Sequence, residues 1–188
     1  WSKGDNYAVS LVTSPAKEKG SVFLKRENQV WNYIPSLERT IKLPPSMMTQ
    51  SFMGTDLTND DLVKQSSMVV DYTHKILSQE NVRGFDCWKL ELLPNEDATV
   101  VWGKLIVWIE REDFMQLKVE FYDEDEELVN LMEGYNVKSF SGKNLPSKIE
   151  FVPLENQGNK TIIEYTSWEF DLEIPSNYFT TQYVSRLK

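Results

Sequence analysis

Alternation of apolar and polar side chains with a period of two dominates this chain, and it starts almost at once. Residues 7–13 and 21–26 alternate, and the polar stretch Ser14-Pro15-Ala16-Lys17-Glu18-Lys19-Gly20 between them is rich in turn residues, so the two predict a hairpin. Residues 29–34 and 39–43 add two strands, the second halted by Pro44-Pro45, which supplies no ladder donors. Strand character resumes at 71–77 and at 83–92, where Trp88, Leu90 and Leu92 share one face and Lys89 and Glu91 the other. Residues 104–110 are apolar on both faces, Leu105, Val107 and Ile109 against Ile106 and Trp108, and so require cover on both sides. Leu117, Val119 and Phe121 alternate with Lys118 and Glu120, and the acidic run 123–127 reads as a solvated hairpin tip leading to a partner strand from Leu128. Segments 135–140, 147–152 and 161–172 continue the meander, with a short helical turn at 174–180 and a final strand or extended tail at 182–187. About eleven antiparallel strands at this density predict a mainly β fold, a sandwich or a strongly curved, barrel-like sheet.

Between residues 29 and 62 the pattern changes character. Ser46–Met53 places Met47, Met48 and Phe52 at helical spacing, with Gly54 where a helix end tolerates positive φ, so a short Met-rich amphipathic helix is expected. Thr58 reads as the cap of a second helix over 60–68, with Asp60 and Asp61 in its first turn. Two helices this short cover little of a long sheet's apolar face. An underfilled apolar concavity is a ligand site by default. The flexible, polarizable methionines suit a surface that repacks around variable partners.

The 188 residues suffice for one well-buried domain. A net charge of −9 disfavours nucleic acid and electrostatic docking on anionic headgroups. The single Cys87 rules out an internal disulfide and a cysteine-based zinc site, and the acids near Asp56 lack the spacing of a calcium loop. The one histidine, His74, lies inside a strand pattern, and neither a Gly-x-Ser-x-Gly elbow nor a phosphate loop occurs. No catalytic residue, metal or cofactor is therefore expected. Nor does any apolar run approach the roughly 18 residues of a membrane span.

The ordered string Trp31-x-Tyr33-x-Pro35, Arg39, then Pro44-x-x-Met47/Met48-x-x-Ser51-x-Met53-Gly54-x-Asp56-x-Thr58-Asn59-Asp60-Asp61-Leu62 resembles the signature of the bacterial outer-membrane lipoprotein-sorting protein family. These are the relatives of the carrier LolA and the outer-membrane receptor LolB. The resemblance implies a half-open β-barrel with helices plugging its concave face, residues 1–188 forming one domain, and a signal peptide and N-terminal helix ahead of Trp1. It further implies a non-enzymatic, monomeric carrier or receptor for lipid or lipoprotein acyl chains, periplasmic or anchored to the outer membrane. Such a carrier works with an inner-membrane transporter or an outer-membrane acceptor. The candidate acyl contacts are Trp31, Tyr33, Met47, Met48, Phe52, Met53, Val107, Ile109, Val119 and Phe121, with Arg39 as a lid-gating residue that donates to lid carbonyls. An alternative within the same fold is a periplasmic sensor or interaction module that regulates an envelope-stress pathway.

Overall fold

The computed structural model describes residues 1–188 apart from Asp5, Asn28, Thr49, residues 60–66, Thr99, residues 156–157 and Lys188. Twelve strands and two short helices, α1 (Ser67–Val70) and α2 (Thr181–Val184), make up the described secondary structure together with three 3-10 turns. The strands form two antiparallel sheets, of five and of seven strands, neither closed into a barrel. The chain divides into two compact units: Trp1–Phe52, Thr58–Ser66 and Asp171–Lys188 form the first, and Met53–Leu57 with Ser67–Phe170 the second.

The first unit carries β1 (Ser2–Lys3), β2 (Tyr7–Leu11), β3 (Val22–Arg26), β4 (Gln29–Ile34) and β5 (Arg39–Lys42), side by side in chain order. Its register puts Val9 opposite Leu24 and Leu24 opposite Trp31, and likewise Leu11, Val22 and Tyr33 in a row, so these six share one face. That face is capped from the C-terminal segment by Phe179 and Val184, with Ile174, Tyr178 and Leu187 packed alongside. Residues 181–184 are helical, not the strand or tail expected. The reason is local: the Thr180 hydroxyl accepts the Tyr183 N–H at 3.2 Å, an N-cap that competes well with an extended chain.

Pro45–Met47 forms a single 3-10 turn, and the Met-rich helix expected over 46–53 does not extend beyond it. Ser51 is already bridged to Thr58, and Met53 and Gly54 both have positive φ, of 53° and 76°. Four apolar residues after two prolines cannot offset the cost of nucleating a longer helix, so pairing with Thr58 wins. The capped helix expected over 60–68 lies largely outside the described residues, which resume in α1.

The second unit is a continuous meander of β6 (Tyr72–Val82), β7 (Phe85–Pro94), β8 (Lys104–Glu110), β9 (Gln116–Tyr122), β10 (Leu128–Phe140), β11 (Lys143–Pro153) and β12 (Thr161–Glu164). As expected from its two apolar faces, β8 is buried on both sides. Leu105 and Val107 join Tyr72, Leu92, Val119, Phe121 and Phe151 in one cluster, while Ile106 and Trp108 join Cys87, Met115 and Leu117 in another. Leu117 is a correction to the simple alternation, which puts it with Val119 and Phe121. Trp108 pairs with Lys118 but Ile109 with Gln116, so Leu117 is the extra residue of a bulge and turns to the other side. The acidic tip is as expected: the Asp123 carboxylate accepts the N–H groups of Asp125 and Glu127 at 3.0 and 2.8 Å.

Two strand lengths differ from the alternation. β10 runs unbroken through Gly134, where a Cβ would come within 2.8 Å of the Pro146 ring, so glycine admits the neighbouring proline. β12 stops at Glu164, beyond which Trp168 and Phe170 stack in parallel at 5.8 Å and the Ser141 hydroxyl donates to the Trp168 carbonyl. At Gly103 a Cβ would stand 2.4 Å from the Asp123 carbonyl oxygen and 2.9 Å from its carbon. Backbone cannot yield as a side chain can, so Gly103→Ala is expected to cost about 1–3 kcal/mol, read as a lower urea midpoint at unchanged slope.

Candidate functional site

The candidate acyl-contact residues divide between the units. Trp31, Tyr33, Met47, Met48 and Phe52 belong to the first, and Met53, Val107, Ile109, Val119 and Phe121 to the second. Within the second, Val107 and Val119 are register partners, Phe121 follows two residues on, and all three are buried, with 4%, 0% and 4% of their surface exposed. Phe121 is wedged between Trp102 at 5.2 Å and Phe151 at 5.6 Å, while Ile109 packs half-buried on the same cluster. These residues are packed interior. Met53, by contrast, is exposed.

In the first unit the strand register separates what the sequence grouped together. Phe52 meets Phe23, ring centroids 4.8 Å apart and nearly edge-on. Phe23 is the partner of Asn32, so both point away from the face that holds Trp31 and Tyr33. Trp31 and Tyr33 therefore face the C-terminal cluster, and the methionine segment reaches the opposite side of the sheet through Phe52. On that opposite side the Asn32 side-chain oxygen is buried without a partner among the described residues. Met47 and Met48 are half-buried, and the Asn59 amide donates to the Met47 carbonyl at 2.9 Å, tying the turn down. Arg39 is exposed at the start of the edge strand β5.

Tyr33 also borders a pocket of about 400 Å³ that sequence reasoning missed. Leu11, Val12, Ala16, Pro35 and Leu187 supply its apolar lining, and among the described residues Lys19 is the only charged one on it. Its rim is the β2–β3 loop, folded on itself by Gly20 N–H to Val12 O at 2.8 Å, Lys19 N–H to Pro15 O at 3.0 Å and Ser21 N–H to Glu18 O at 3.0 Å. Gly20 adopts φ +88°, and a Cβ there would stand 3.2 Å from Pro35, so glycine lets the loop close on the proline. The only local signal was that loop's glycine, since the other wall comes from residues more than 150 positions away.

Several titratable groups are engaged structurally. Glu110, the one buried charged residue among those described, accepts the N–H groups of Glu112 and Asp113, both at 2.7 Å, and so builds the β8–β9 turn. His74 is exposed, with Nε2 2.7 Å from the Met68 carbonyl. On the Trp108 side of the larger sheet, Lys118 and Lys89 lie 4.3 and 5.0 Å from the indole ring, and the indole N–H donates to Glu80 at 2.8 Å. That bond, with a second from Lys89, holds the Glu80 carboxyl below its usual range. Burial and the hydrogen bond to Glu120 push the Tyr122 hydroxyl up to about 12. Among the described residues no cluster of three or more His, Cys, Asp or Glu could hold a metal ion, and no helix is long and apolar enough to cross a membrane.

The architecture defines a class, the LolA-like fold. Residues 4–186 match the model of a protein family described as "uncharacterized protein", and the chain belongs to that family. Among solved structures it is similar to a LolA superfamily protein from Nitrosomonas europaea, at TM-score 0.77 and 25% identity over 97% of this chain and 80% of the other. A domain named for outer membrane lipoprotein sorting, from Vibrio parahaemolyticus, superposes at TM-score 0.81 with 23% identity, over 96% of this chain and 77% of that one. A DUF1329 family protein from Desulfovibrio piger superposes at 0.85 with 22% identity, over 95% and 76%. No curated protein sequence matches the chain.

Proposed function

We propose that this chain is a non-enzymatic carrier or receptor for the acyl chains of lipids or lipoproteins in the bacterial envelope. In this reading it acts as a single domain and a monomer in the periplasm, free or held at the outer membrane. The observation that carries the proposal is the fold shared over 97% of the chain with a LolA superfamily protein. The acyl contacts are assigned to Met47, Met48, Phe52 and Met53, whose side chains adapt to ligands of varied shape, and gating of that segment to Arg39. Trp31 and Tyr33, which meet the C-terminal segment, and Val107, Ile109, Val119 and Phe121, packed within the second unit, are assigned no direct acyl contact.

Thermodynamics then demands a partner. Burying a chain gains about 0.8 kcal/mol per methylene against water, and almost nothing against a bilayer. Affinity alone cannot lift lipid from a membrane, so an inner-membrane transporter delivers the cargo or an outer-membrane acceptor takes it. Mass spectrometry of protein purified from its native envelope is expected to find bound acyl lipid, and lipid-free protein at full occupancy of the fold counts against the reading. Met48→Trp is expected to keep or slightly raise stability while weakening binding of a fluorescent fatty acid several-fold. A loss of about 1–3 kcal/mol with binding per folded molecule unchanged would make this segment overpacked interior instead.

A further inference from the structure

We propose that the pocket between the β2–β3 loop and the C-terminal segment is a binding site for a single-chain amphiphile with an anionic head, with the chain against Tyr33, Pro35 and Leu187 and the head paired with Lys19. The site deepens the carrier reading above and rests on it for the class of ligand. It is separate from the methionine segment, because Tyr33 opens to the face of the first sheet opposite the one that Phe52 meets through Phe23.

Three observations carry it. The volume, about 400 Å³, lies within the roughly 300–1,000 Å³ span of small-ligand sites, and its lining is predominantly apolar. The loop that forms the rim is closed by its own backbone hydrogen bonds and by the fit of Gly20 against Pro35, so little ordering remains for a ligand to drive. Charge then selects the head group. In a chain of net charge −9 the one charged residue on this pocket among those described, Lys19, is cationic and pairs with no carboxylate among them. An ammonium on an apolar rim favours a carboxylate over a neutral or cationic head, and a flexible lysine meets such a point charge without fixed geometry. Thr13, also on the lining, offers a hydroxyl to the same head group, while the Ser185 hydroxyl is already engaged, donating to the Gln182 carbonyl at 3.0 Å.

The probe is dodecanoate, measured by titration calorimetry on the full chain, with dodecanol and dodecylammonium as head-group controls. Dodecanoate is expected to bind at one equivalent through this pocket, at least ten-fold more tightly than dodecylammonium. Lys19→Glu is expected to weaken dodecanoate at least ten-fold and to leave dodecanol within two-fold. Ala16→Trp fills the space from an exposed loop position and is expected to remove the equivalent of each probe bound at this pocket, leaving only binding that Met48→Trp weakens, with thermal unfolding unchanged. Stoichiometry and affinity that are unchanged in Ala16→Trp and Lys19→Glu but fall in Met48→Trp overturn this site and leave the carrier reading standing. Loss in Ala16→Trp and in Lys19→Glu but not in Met48→Trp, from protein that carries no lipid out of its native envelope, supports the site and counts against the carrier reading. No measurable dodecanoate binding to the unaltered chain overturns the site outright.

Discussion

Phe121→Ala is expected to destabilise the protein by about 3–5 kcal/mol, the range for removing a buried aromatic ring from a core that cannot close up. Phe121 is 4% exposed and touches rings on two sides, Trp102 from the stretch before β8 and Phe151 from β11, so its loss leaves a void framed by sheet and loop. The measurement is the urea midpoint, with dodecanoate affinity per folded molecule alongside. A change below about 1 kcal/mol together with altered lipid binding would mean that Phe121 stands at an open cavity wall. The packing around it predicts the reverse, a large loss of stability at constant affinity.

On the other side of the same sheet, Trp108→Ala is expected to cost a similar 3–5 kcal/mol. Here the loss combines a buried indole, 4% exposed, with the platform it provides to Lys89 and Lys118 and the hydrogen bond it gives Glu80. Trp108→Phe separates these parts, since it keeps most of the packing and deletes the N–H donor. Its effect should depend on pH. The Glu80 carboxyl is held low in the folded state, chiefly by the Trp108 bond, so its stabilisation is present above the ordinary carboxylate pKa and fades as pH falls through the folded value. Trp108→Phe is therefore expected to shrink the acid sensitivity of the unfolding midpoint below about pH 4.5 relative to the parent. An unchanged acid slope would remove Trp108 as the cause.

Much of the fold was legible because β-structure writes itself in a period of two. The hairpin of β2 and β3, the two-faced burial of β8 and the solvated turn at Asp123 follow from alternation and turn chemistry, which act over a few residues. Segments where two local preferences nearly balance were not legible. Residues 46–53 have helical spacing, yet they lie in a stretch where Ser51 reaches Thr58, and that pairing depends on the chain beyond them. Residues 182–187 read as a final strand or extended tail, yet one hydroxyl at Thr180 tips 181–184 into a helical turn. Leu117 alternates in perfect phase, and a bulge opposite Trp108 and Ile109 sends it to the other face.

The candidate site divides along the same line. Sequence by itself determined which residues are apolar and, away from the bulge at Leu117, which strand face each occupies, because side-chain direction along a regular strand is a local property of the backbone. It also carried the ordered signature from Trp31 to Leu62 that resembles the lipoprotein-sorting family. Tertiary structure alone decided that Trp31 and Tyr33 meet the C-terminal segment while Phe52 meets Phe23, that Val107, Val119 and Phe121 are packed interior, and that the space beside Tyr33 is closed by Leu187. A cavity is the volume left over when distant segments meet, and no window of sequence contains both of its walls.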